Sequence, residues 1–257
     1  MQRPTIDNLP VKPLEPGLDL LAIGAHPDDI ELSCGGILSK SSSLGYKTGV
    51  IDLTRGEKGT RGNREIREKE CVKAAEILGL KIRLNMEWPD ASIHDNEKNR
   101  KELAYVIRLL RPKLVITHHW NCRHPDHIGA SKVVERTCML SGLKKYLEED
   151  KDAPSEWRPD RVLFFGGWHN KNPSAIVDIS EHFKNKLKAV FAHESQFFSK
   201  ESKDSETLLS NPDFESWLHQ RSRYWGQKIG KEYGESITCK GEIPLEDPIK
   251  TFLDAPW

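Results

Sequence analysis

The sequence predicts an α/β fold, a mainly parallel sheet with helices on both faces. Three observations carry this. Short apolar runs alternate with longer helix-like stretches along most of the chain. The length, 257 residues, suits one large α/β domain. There is no internal repeat and no low-complexity tract.

The elements are read in chain order. Met1 to Gly17 is proline-rich and forms an extended amino-terminal arm, and residues 18–257 are read as one domain. Leu18 to Gly24 is a buried strand. Cys34-Gly35-Gly36 leads into a helix from Ile37 to Leu44. Thr48 to Leu53 is a strand, and Arg64 to Leu78 a helix with Gly79 as its C-cap. Ile82 to Leu84 is a short strand. Glu97 to Leu110 is a helix stopped by Arg111-Pro112. Lys113 to Thr117 is a strand and Ile128 to Leu147 a helix. Val162 to Phe165 and Ala175 to Val177 are strands, and Glu181 to Ala192 and Phe214 to Ile229 are helices. Lys144 to Glu156 reads as a charged surface stretch, and Ser199 to Pro212 as a polar loop near the pocket.

Composition excludes several classes. Lys and Arg number 39, as do Asp and Glu, so the formal charge is zero and no nucleic-acid partner is expected. No apolar run is long enough to span a bilayer, and the amino terminus lacks a signal-peptide core. The five cysteines are scattered with no C-x-x-C pair, which fits a reducing cytoplasm. Cys34 and Cys122 are near the motifs below, but both read as packing residues.

Two segments concentrate the chemistry: Ala25-His26-Pro27-Asp28-Asp29-Ile30-Glu31 and His124-Pro125-Asp126-His127, each after a strand. In an open parallel sheet, the carboxyl ends of strands are where ligands bind. His26 and Asp29 are three apart with Pro27 stiffening the turn, so both can face one ion, and Asp28 is left over as a base. His124 and His127 repeat the spacing. Two imidazoles and a carboxylate, with a spare acid and histidine, are the inventory of a catalytic zinc site. Each segment alone also fits turn and helix-cap chemistry. Two matching segments make coincidence a poor explanation.

These residues resemble the signature of the LmbE/PIG-L-type zinc-dependent N-deacetylases. So do Leu53-Thr54-Arg55-Gly56-Glu57-Lys58-Gly59-Thr60-Arg61-Gly62 and His193-Glu194-Ser195-Gln196-Phe197. With Arg223-Tyr224-Trp225-Gly226 and Tyr233-Gly234-Glu235, the pattern is most similar to the branch that deacetylates N-acetylglucosaminyl malate in bacillithiol biosynthesis. The resemblance covers roughly residues 18 to 240 and implies a Rossmann-like fold. It implies that His26, Asp29 and His127 bind Zn2+, although the same donors suit Fe2+. It implies Asp28 as general base, His124 as oxyanion stabiliser or general acid with Asp126 orienting it, and Arg55 in the substrate pocket. The expected partner is a small glycoside, and the resemblance leaves a homo-oligomer open.

The chemistry asks for the same parts. An amide carbon is a poor electrophile, and a bound zinc polarises the carbonyl and activates water. A carboxylate takes the water's proton, and an acid must protonate the departing nitrogen. A histidine beside an aspartate suits the second task.

Other residues read more blandly. His118 and His119 are not ranked as ligands, although one could orient a ligand. Trp168-His169-Asn170 follows a strand, and a pocket role balances simple loop packing. His94 is expected in solvent. Trp88, Trp120, Trp157 and Trp217 are expected to pack, with Trp120 nearest the site. Arg55, Arg61 and Arg64 form a basic loop able to bind a carboxylated substrate. A nucleotide-binding module is disfavoured, because Asp28 and Asp29 would repel a pyrophosphate. A non-catalytic metal protein is disfavoured by the spare base, and a general N-acetylglucosamine or chitooligosaccharide deacetylase is the alternative to the malate conjugate.

Overall fold

The computed structural model describes residues 7–10, 12–166, 172–197, 204–244, 246, 247, 249 and 251. Its strands are β1 (Leu20–Gly24), β2 (Thr48–Thr54), β3 (Ile82–Trp88), β4 (Leu114–His118), β5 (Arg161–Phe165), β6 (Ala175–Asp178) and β7 (Gly234–Cys239). Its helices are α1 (Asp29–Ser43), α2 (Arg64–Leu78), α3 (Glu97–Leu110), α4 (Pro125–Leu140), α5 (Phe183–Phe191) and α6 (Phe214–Gln227).

The strands form one sheet in the order β3-β2-β1-β4-β5-β7-β6. The first five are parallel, and β7 runs antiparallel to both β5 and β6. Residues 20–24 of β1 are all buried, because helices cover both faces. The pleat sends alternate side chains to opposite cores. Leu21 and Ile23 pack with Leu103, Ile107 and Val133 of α3 and α4. Leu20 and Ala22 pack with Ile30, Leu38 and Phe183 of α1 and α5.

Local chemistry ends the helices largely as expected. Asn63 and Asn96 cap α2 and α3 by accepting the N–H of Ile66 and Asn99. Gly79 follows α2 with φ 70°, a left-handed conformation that glycine adopts without strain. Pro125 sits in the first turn of α4.

Several boundaries differ. α1 begins at Asp29, not Ile37, so the first motif is itself a helix start. α4 stops at Leu140, short of Leu147, because the Ser141 carbonyl is taken by Arg108 Nε (2.9 Å) and the Trp157 N–H (3.2 Å). Lys144–Leu147 is a separate 3-10 turn, and Leu147 is buried, so the charged stretch is not all surface. A 3-10 turn, Ser180–His182, precedes α5, and α6 ends at Gln227. β7 had no counterpart in the sequence reading. The described part of the arm packs on α3, with Leu14 N–H donating to Leu109 O (2.8 Å) and Leu9 and Leu14 against the core. Residues 1–6 and 11 of the arm, Trp168-His169-Asn170 and residues 199–203 of the polar loop lie outside the described residues. No helix among the described residues is long and apolar enough to cross a membrane.

Candidate active site

The two motifs meet because β1 and β4 are neighbours in the sheet. The chain leaves β1 towards β2 on one side, whereas β4 continues to β5 on the other. That reversal opens a crevice at the strands' carboxyl ends. Into it project residues 25–29 after β1 and residues 119–127 after β4.

Asp29 sits at the centre. Its carboxylate is 3.3 Å from His26 Nδ1, 3.2 Å from His127 Nε2 and 3.2 Å from His118 Nε2. One Asp29 oxygen also accepts the His26 N–H at 2.8 Å, closing the Pro27 turn. His26 Nε2 lies 3.1 Å from Asp90 and 3.3 Å from Asp126. Among the described residues, three overlapping groups have their donor atoms within 4.8 Å of one another: His26–His124–His127, Asp29–His118–His127 and His26–Asp90–Asp126. The expected set of His26, Asp29 and His127 straddles the first two, with Asp29 touching both imidazoles.

Electrostatics follow from this crowding. Burial opposes charge on Asp29, but His127 and His118 outweigh it and hold the carboxyl well below its usual range. Burial alone would lower His26, yet Asp29 and Asp90 raise it to about 11. His127 is likewise raised to about 9 by Asp29 and Cys122 against the cost of burial. Both imidazoles thus hold protons where a cation could replace them.

Asp28 occupies the N-cap of α1 with φ 101°, a left-handed backbone unusual for aspartate. Such conformations cost about 1–3 kcal/mol and gather at functional sites. Asp28 is buried, and burial raises its carboxyl to about 6 despite Arg67, whose Nη2 is 3.5 Å away. Arg67 also donates to the carbonyls of Gly56 (2.9 Å) and Pro27 (2.7 Å), tying α2 to both loops. Asp28, His26, His124, Asp90, Lys58 and Arg67 line one cavity of about 270 Å³.

His124 is exposed at the mouth and caps α4, its Nδ1 accepting the Asp126 N–H at 3.2 Å. Burial and nearby His127 lower its pKa. Asp126 therefore meets His124 through the backbone. Its carboxylate bonds to the Ile93 N–H (3.2 Å) and His26, which corrects the expectation of a carboxylate orienting His124.

Arg55 is paired with Glu87 and lines a separate groove between α2 and β3. The cations on the cavity wall are Lys58 and Arg67 instead. Arg67 and Asp90 have no role assigned from sequence, and His118 is weighed only as a residue that could orient a ligand. Arg67 lies in the helix predicted over Arg64 to Leu78, and nothing local to it marks a site residue. Asp90 follows a strand that proved longer than Ile82 to Leu84, so the strand-end rule could have found it. His118 is buried, accepts the Ala25 N–H at 2.9 Å and stacks on His127 at 3.9 Å. Burial and His127 lower His118 to about 4, leaving it neutral. Cys122 Sγ is 3.3 Å from His127 Nδ1. His94 is exposed, as expected, and His119 stacks on the half-exposed Trp120.

Comparison with known proteins adds an independent line. The profile of the PIG-L family, described as GlcNAc-PI de-N-acetylase, matches residues 21–138, which span both motifs. A diacetylchitobiose deacetylase from Thermococcus kodakarensis is 31% identical over 228 residues, covering 85% of this chain and 81% of that protein. The crystal structure of the conserved protein TT1542 from Thermus thermophilus is 37% identical, with a TM-score of 0.79 over 90% of this chain and 98% of the other. An N,N'-diacetylchitobiose deacetylase structure from Pyrococcus horikoshii is 25% identical, with a TM-score of 0.74 over 93% and 90%.

Proposed function

The chain belongs to the PIG-L family of de-N-acetylases, and on that footing we propose that it hydrolyses the acetamide of an N-acetylglucosaminide, releasing acetate and the free amine. Residues 18–257 serve as one catalytic domain in this reading. The observation that carries it is the cavity where Asp28, His26 and His124 meet beside the Asp29 carboxylate.

His26, Asp29 and His127 would hold a divalent ion, Zn2+ or Fe2+. Two imidazoles and a carboxylate suit either. Ligand atoms about 2.0–2.1 Å from a tetrahedral ion stand about 3.3 Å apart. The two Asp29 oxygens stand 3.3 Å from His26 Nδ1 and 3.2 Å from His127 Nε2, so one carboxylate lies within ligand reach of both imidazoles. When bound, the ion supplies Lewis acidity towards the amide carbonyl and the attacking water.

The chain's own residues do the rest. Asp28 accepts the attacking water's proton, and its burial keeps that proton transferable near neutrality. His124, open to the cavity mouth, protonates the departing nitrogen, because an amide anion is not expelled. Asp126 holds His26 in place and joins the second loop to the first. The wall mixes signs, with Lys58 and Arg67 beside Asp28 and Asp90.

Our first choice of substrate is the malate conjugate of N-acetylglucosamine, with Lys58 at the cavity as the cation offered to a carboxylated aglycone. A general N-acetylglucosamine or chitooligosaccharide deacetylase is the second reading. The pairing of Arg55 with Glu87 favours it, because one expected carboxylate binder is already engaged. Acetate release from a panel of N-acetylglucosaminides differing only in aglycone, with and without chelator, tests both. Preference for acidic aglycones supports the malate conjugate, and indifference supports the general enzyme. No release from any member, or full release in chelator, overturns the proposal.

A further inference from the structure

α1 starts at the candidate metal turn, yet it is not one continuous helix. Its backbone breaks at Cys34 (φ −139°, ψ 21°). In an unbroken helix the Gly36 N–H would bond the Leu32 carbonyl. Here each group has a charged partner from far along the chain. The Gly36 N–H donates to Glu235 Oε1 (3.0 Å) and the Ile37 N–H to Glu235 Oε2 (2.7 Å). The Leu32 carbonyl accepts from Lys186 Nζ (3.0 Å) and from the Arg221 guanidinium. Lys186 and Glu235 pair at 2.5 Å and are 1% and 3% exposed. Gly36 also lets Ile179 pack against the break, since a Cβ there would lie 2.7 Å from Ile179 Cδ1.

The break matters because of what precedes it. Asp29 and Glu31 ride on the short leading turn, which the break at Cys34 separates from the rest of α1. Side chains inserted into a helix's hydrogen-bond ladder are a known cause of sharp kinks. The turn's other flank is held by Glu31, 2.5 Å from Arg83 Nη1 and 3.4 Å from His193 Nε2.

We propose that Glu235 and Lys186 are positioning residues: by capping the two sides of the break in α1, they aim the leading turn so that Asp29 meets His26 and His127. This rests on the reading of His26, Asp29 and His127 as metal ligands. It gives the Tyr233-Gly234-Glu235 motif a task at a site it does not line. A buried ion pair that merely stabilised the fold would alter stability and leave metal binding alone.

The test uses the metal-free full chain titrated with Co2+, followed by its visible absorption, beside the thermal midpoint. Glu235→Ala should weaken Co2+ binding by roughly tenfold to a hundredfold, the range for residues that orient metal ligands, and should change the absorption bands. Leu147→Ala, a buried change in the cluster beside α3, should lower the midpoint and leave Co2+ affinity and spectrum as in the wild type. If Glu235→Ala does not fold, Glu235→Gln is read instead. Its amide oxygen keeps one acceptor but loses the charge, so affinity should still fall severalfold. Wild-type affinity and spectrum in the folded variant overturn the proposal, as does an equal loss of affinity in Leu147→Ala. Failure of the wild type itself to bind Co2+ overturns the ligand assignment, and the positioning role with it.

Discussion

The two loops that build the site are held in opposite ways. In the first, Asp28 and Asp29 are buried, and the turn behind them is clamped by Arg67, Arg83 and the Glu235–Lys186 pair. In the second, His124 is exposed and fixed mainly as the N-cap of α4. The contrast fits their proposed tasks. A base and a ligand need fixed direction and a dry setting, and a proton donor to a leaving group must face the substrate. Each loop supplies a proposed ligand, but the buried base lies on the first and the exposed proton donor on the second.

The hardest test of this contrast is loss of a ligand. Asp29→Ala or His127→Ala should lose most bound metal and nearly all acetate release, read by metal analysis of purified protein. Asp29, which touches three imidazoles, should show the larger loss. Full metal occupancy in His127→Ala would break the assignment. Chelator treatment of the wild type should reproduce the loss, with recovery on adding Zn2+.

Next comes the base. Asp28→Asn should keep its metal and lose about 10²–10⁴ in kcat, since an amide cannot take the water's proton. Near-normal turnover would place the base elsewhere. His124→Ala should also keep metal and lose at least about 10² in kcat. Because His124 is the exposed member, its loss should cost only about 1 kcal/mol of stability, as for other N-caps, measured by urea unfolding.

Arg83→Met should show the reverse pattern. It strands Glu31 and Asp52, both buried and bonded to Arg83 at 2.5 and 2.8 Å. Breaking such a network costs about 3–5 kcal/mol, visible in urea unfolding of the metal-free protein. A small change would mean the first loop is less dependent on its buried charges than the structure indicates.

The smallest effect is expected at Arg55. From sequence alone, a substrate contact would be worth roughly tenfold to a hundredfold in kcat/KM. Because Arg55 is a partly exposed partner of Glu87, Arg55→Ala should instead cost less than about fivefold on acidic and neutral glycosides alike. A loss confined to acidic glycosides would show that Arg55 exchanges Glu87 for substrate and would strengthen the malate reading.

Most of the architecture was legible in the sequence because its signals are local. Gly79 ends α2, Arg111-Pro112 ends α3, and apolar runs mark β1 and β4. The two His-Pro-Asp segments were legible for the same reason, since three-residue spacing around a proline is a local pattern. The start of α1 was misplaced because Cys34-Gly35-Gly36 looks like a helix beginning. It is an interruption that only remote charges make affordable. β7 was missed because its role is a pairing made with β5 and β6 in space.

Tertiary structure alone decided which charges are buried. No sequence signal marks Arg67, Arg83, Lys186 or Glu235 as buried, and each is enclosed because a partner from elsewhere compensates it. It also decided that Arg55 faces Glu87, that Asp90 and Asp126 face His26, and that His118 backs His127. Residue type and spacing carry the chemistry a site can perform. The partner of each charge depends on which strands become neighbours, and that is settled only when the sheet is assembled.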